Sequence, residues 1–91
     1  MTGDERVDAV TMTEGLAEMR AKSARFAERG AGYRAAGDIE AAEACEGAAE
    51  ADATLADAIE SGKSGKDVEA AMVNATRAYW CVADVLAARN G

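Results

Sequence analysis

Ninety-one residues make one domain, near the lower end of what folds alone. With 17 acidic residues against 10 basic ones the net charge is −7, which argues against unaided binding to nucleic acid or to anionic membranes, since both reward clustered Lys and Arg. The chain has no histidine and no proline, so it lacks the commonest general base, the commonest transition-metal ligand and the usual helix breaker.

The N-terminus begins acidic and has no apolar run behind it, so neither a signal peptide nor a membrane span is expected, and a cytoplasmic setting is the default. A first helix is expected over about residues 5–36. Ala9, Met12, Leu16, Met19, Ser23, Phe26, Gly30 and Tyr33 recur at alternating steps of three and four, a heptad seam along one side. Glu14, Glu18, Lys22, Arg25, Glu28 and Arg29 fall on the other side, with Glu18 and Lys22 a favourable i,i+4 pair. Thr2 with Glu5, and Thr11 with Glu14, both have capping-box spacing. Gly30-Ala31-Gly32 weakens the helix, but the seam continues through it to Tyr33, so one helix is expected, bent at most.

Gly37-Asp38 combines a helix-ending glycine with a helix-capping aspartate. A second helix follows over about 39–61. From Ala35 to Gly62 the chain holds eight carboxylates and no basic residue. The spacing predicts an inward stripe of Ala41, Ala44, Ala48, Ala51, Leu55 and Ile59, with only the last two large. Glu43, Glu46, Glu50 and Asp57 line the opposite side as an acidic ridge, a candidate docking surface for a basic partner. Alanine lets helix axes approach closely but buries little area.

Ser61-Gly62-Lys63-Ser64-Gly65 reads as a loop, with neither the spacing of a phosphate-binding loop nor a strand before it. There is no histidine to serve as a general base, and the Ser-Lys pairs that can be drawn at Lys63-Ser64 or Ser64-Lys66 read more simply as a solvated turn, so no catalytic residue is assigned. Ser64 with Asp67 opens a third helix over about 66–89. Val68, Met72, Ala75, Tyr79, Val82 and Leu86 form its seam, with the Tyr33 and Tyr79 hydroxyls expected at the bundle edge. Val73 and Trp80 lie about 120–140° away from that seam, beside Glu69, Arg77 and Asp84. The single tryptophan therefore points away from the expected core, and Val73, Arg77, Trp80 and Asp84 are the candidate partner interface.

Cys45 and Cys81 have no CxxC spacing and sit among small apolar residues, as free buried thiols would, with a disulfide between two helices the alternative. The carboxylates of the second helix form a row, whereas magnesium needs converging ligands, so no metal or cofactor is assigned. Phe26, Gly30, Tyr33, Gly37, Ala42 and Ala49 fall at the aromatic, small and turn positions of one repeat unit, and residues 26–49 resemble a tetratricopeptide repeat. The leucine, aromatic and proline of that pattern are replaced by Arg29, Glu46 and Thr54, and there is no second copy. The resemblance implies protein–protein binding and no chemistry.

The expected fold is therefore all-α, an elongated antiparallel three-helix bundle, with a thin core that favours a homo-oligomer or larger complex. The expected function is non-enzymatic protein–protein interaction with no direct nucleic-acid or membrane binding. Two alternatives are an acidic inhibitor that mimics nucleic acid, of the kind some phages encode against restriction or CRISPR systems, and a magnesium-dependent all-helical hydrolase.

Overall fold

Two glycines divide the chain. Gly37 and Gly62 have φ of +86° and +69°, the left-handed conformation that glycine adopts without a Cβ clash. At each, the chain folds back on the helix just ended: the Asp38 amide donates to the Tyr33 carbonyl (2.9 Å) and the Lys63 amide to the Ala58 carbonyl (3.1 Å). The next helix is then capped by a side chain. Asp38 accepts from the Ala41 amide (3.2 Å), and Ser64 from the Asp67 amide (3.3 Å). The computed structural model describes the backbone of residues 2–90 and the side chains of residues 14–89. It contains α1 (Thr2–Ala35), α2 (Ile39–Glu60) and α3 (Gly65–Asn90). These bounds match the expected ones to within a few residues. The side chains of Thr2, Glu5, Ala9, Thr11 and Met12 lie outside the described residues, and with them both capping boxes and the start of the first seam.

The three helices form an elongated bundle of 53 × 23 × 22 Å. Its radius of gyration is 15.5 Å, against the roughly 12 Å of a compact chain of this length. The acidic helix α2 is the middle element: α1 packs on one side of it and α3 on the other, while the backbones of α1 and α3 stay apart. No helix among the described residues is long and apolar enough to cross a membrane.

A central helix must bury two stripes, and α2 does. The predicted stripe of Ala41, Ala44, Ala48, Ala51, Leu55 and Ile59 is buried or half-buried. A second stripe, Ala42, Cys45, Ala49, Asp52 and Ala56, is buried as well and corrects the single-sided reading. Its register against α1 is set at two points. The Ser23 hydroxyl donates to the Ala49 carbonyl (2.7 Å). At Gly30, a Cβ would come within 3.2 Å of the Ala42 carbonyl oxygen and 3.0 Å of Glu46 Cγ. Gly30 is thus a point of close approach between α1 and the alanine face, and α1 runs through it as one unbroken helix.

Two small clusters form the core. Cys45, Ala48 and Val82 gather Phe26, Tyr33 and Leu86, while Leu55, Ala71 and Ala75 gather Met19, Ile59 and Val68. Tyr79 packs against both. The α3 seam is shifted from the expected one. Ala71 is buried where Met72 was expected, and Met72 is 54% exposed. Against a helix lined with alanine, α3 approaches through its own small residues, which turns the methionine onto the flank.

These packing differences predict opposite effects at two glycines. A methyl group added at Gly47 on α2 would meet no other atom within 4 Å. Gly47→Ala should raise the urea unfolding free energy by about 0.5–1 kcal/mol through helix propensity. Gly30→Leu should lower it by about 1–3 kcal/mol, because the side chain must push α1 off α2.

Candidate functional site

On α3, the residues that touch α2 leave the opposite face without a neighbour among the described residues. Val73 is 46% and Trp80 66% exposed, and Arg77 and Asp84 are exposed between and beside them. All four candidate interface residues therefore share one outer stripe, as their helical spacing requires. An indole this exposed leaves a large apolar area in water, a cost that a covering surface removes.

The acidic helix is more heavily paired than its sequence suggests. Arg34 of α1 grips Glu46 with two hydrogen bonds (2.7 and 3.0 Å). Arg20, also on α1, bonds Asp57 (3.0 Å) and Glu60. Arg89 of α3 bonds both oxygens of Asp38 (2.7 and 2.9 Å) and lies 3.7 Å from Glu40. Of the four ridge carboxylates, Glu46 and Asp57 are thus engaged by α1. Glu43 and Glu50 remain exposed and without an ion-pair partner among the described residues. The Arg34 bonds hold the Glu46 carboxyl below its usual range. The Arg89 bonds, together with the Ala41 amide, bring Asp38 down to about 2.

Asp52 is a feature that the sequence conceals, because the small residues of its stripe do not mark a second buried face. It belongs to the Ala42–Cys45–Ala49–Ala56 stripe and is fully buried. Its Oδ1 accepts from the Tyr79 hydroxyl, and its Oδ2 has no hydrogen-bond partner. The Tyr79 hydroxyl therefore points inward, not to the bundle edge as expected. Burial, and then the bond to Asp52, push the phenol well above its ordinary value, so it stays a donor. The Tyr79 ring stacks on Phe26 (centroids 5.7 Å apart, planes 19° apart), and the Lys22 ammonium lies 4.1 Å from its centroid. This one side chain joins α3 to both other helices.

Beside it, α1 contributes a basic edge that the net charge hides. Lys22, Arg25 and Arg29 line a shallow groove of about 190 Å³ with Phe26. A neighbouring groove of about 490 Å³ is bounded by Glu18, Met19, Lys22, Arg25, Leu55 and Tyr79. Both are open; the second also reaches Asp52, whose bond from the Tyr79 hydroxyl lies at its wall. Among the described residues no three Asp, Glu or Cys side chains converge as metal ligands would. Both cysteines are free; Cys45 is buried, but Cys81 is exposed on α3, against the expectation for both. Gly30 and Ala42, two of the positions that resemble a tetratricopeptide repeat, pack closely on one another. Comparison with protein-family models, with curated proteins and with solved structures finds no match.

Two outcomes follow from the buried pair and the capping aspartate. Tyr79→Phe should cost about 1–3 kcal/mol in chemical denaturation, because it leaves both oxygens of a buried carboxylate unpaired. Adding Asp52→Ala to that variant should recover much of the loss, since a methyl group suits the surrounding alanines. Acid titration tests Asp38. A folded-state value below the usual 3.8 means its contribution is present above that pH and is lost as pH falls towards 2. Circular dichroism should show helix loss over that interval, and Asp38→Asn, which keeps the cap but loses the charge, should flatten the profile.

Proposed function

We propose that this chain is a non-enzymatic interaction module that binds another protein surface through the outer face of α3. The observation that carries the reading is the exposure of Trp80, with Val73 beside it, on the side of α3 facing away from α2. Tryptophan buries a large area with little loss of rotamer freedom, and it recurs at the centres of binding interfaces. Arg77 and Asp84 flank it and supply polar specificity at the rim. Glu43 and Glu50 on α2 are a second, weaker attraction for basic groups.

Phosphate mimicry is less well supported. A mimic needs a row of available carboxylates, and Asp38, Glu40, Glu46, Asp57 and Glu60 already face arginines of the same chain. A magnesium-dependent hydrolase has still less support, because the carboxylates of α2 are spread along the helix or buried singly.

Affinity capture from the source cells, with wild type and Trp80→Ala as baits, tests the proposal. Trp80 is exposed, so its truncation leaves the fold intact, as circular dichroism should show. Loss of the bound protein with Trp80→Ala, and its retention with Glu43→Lys/Glu50→Lys, supports the α3 face. Retention with Trp80→Ala and salt-sensitive loss with the lysine variant would instead favour the acidic inhibitor.

A further inference from the structure

The outer face of α3 carries a charge pattern that is complementary to itself. Beyond Lys66 and Glu69, which share the face nearer the start of the helix, Val73, Arg77, Trp80, Asp84 and Ala87 fall within about 80° of arc at 100° per residue. All five are exposed. The arginines at 20, 34 and 89 are engaged with α2, whereas Arg77 and Asp84 have no ion-pair partner among the described residues. They stand seven residues apart, two helical turns, with Trp80 between them.

Resting on the reading of this face as a protein interface, we propose that its occupant is a second copy of the chain. The two α3 helices pair antiparallel about a two-fold axis passing between Trp80 and Cys81. That axis is the midpoint of the Arg77–Asp84 interval. Reversing one helix about it sets Arg77 of each copy opposite Asp84 of the other. Both ion pairs form at once, about 10 Å apart along the helices. They bracket the contact between the two Trp80 side chains and enclose it. Parallel pairing in register instead sets Arg77 against Arg77 and Asp84 against Asp84, a like-charge arrangement that disfavours it. The interface is isologous and closes as a dimer. It places the two Cys81 thiols on the same flank, adjacent to the axis. A single helix pair buries less than a standard stable interface, so the dimer is weak and concentration-dependent.

Charge exchange tests the register. Sedimentation equilibrium should show wild type as a monomer–dimer equilibrium. Arg77→Asp and Asp84→Arg should each weaken the dimer by about tenfold or more. Arg77→Asp raises the net negative charge and Asp84→Arg lowers it, so a general charge effect would move the two variants in opposite directions. An equimolar mixture of the two should recover dimer as a heterodimer, and so should Arg77→Asp/Asp84→Arg. A short bismaleimide should link wild-type chains through Cys81, the exposed cysteine, and Cys81→Ser should abolish the link.

Wild type that stays monomeric at the highest concentration reached overturns the proposal. So does a failure of the mixture to recover dimer. A dimer lost with Trp80→Ala but indifferent to charge exchange overturns the register while leaving the α3 face as an interface. A dimer unchanged by Trp80→Ala as well overturns both.

Discussion

The structure depends on the small size of the side chains on α2. A middle helix that is buried on two sides and made largely of alanine lets both neighbours come close, and Gly30 and Ala71 are the points where they do. Close approach is favourable for dispersion, but each alanine removes little apolar area from water. The helices therefore rely on a few larger contacts. Tyr79 is the chief one, because it is the side chain through which α3 reaches past α2 to Phe26 and Lys22 of α1. Its hydroxyl also supplies the bond to Asp52, a carboxylate placed in the middle of the alanine face.

Charge pairing follows from the same arrangement. A helix with eight carboxylates at its centre and in its caps would repel itself if left alone, and its two neighbours bring the arginines. Arg20 and Arg34 come from α1 and Arg89 from α3. Each exposed pair is individually weak. Together they spread the positive charge of the outer helices along the negative one, and they leave Glu43 and Glu50 as the unneutralised part of the ridge. Three arginines thus pair with five of the eight carboxylates, while the net charge of −7 remains.

The outer face of α3 has no such pairing among the described residues. The contacts that hold α3 use its small residues, together with Tyr79, Val82 and Leu86, and these lie on one side. Trp80 and Val73 lie on the other, with Arg77 and Asp84 uncommitted beside them. Among the described residues, neither α1 nor α2 covers this face.

The helices, their ends and the exposure of Trp80 were legible from the sequence, because they rest on local causes. Heptad spacing sets a face, a glycine with left-handed φ ends a helix, and Asp38 and Ser64 cap the next one. The outward direction of Val73, Arg77, Trp80 and Asp84 needs only 100° per residue. Which helix lies in the middle, and what that does to individual side chains, was decided by tertiary packing. The burial of Asp52, the inward hydroxyl of Tyr79, the exposure of Met72 and Cys81, and the pairing of Glu46 and Asp57 all depend on neighbours distant in sequence. An alanine-rich helix has no large side chains to announce its second buried face, so its partners could be identified only from their positions in space.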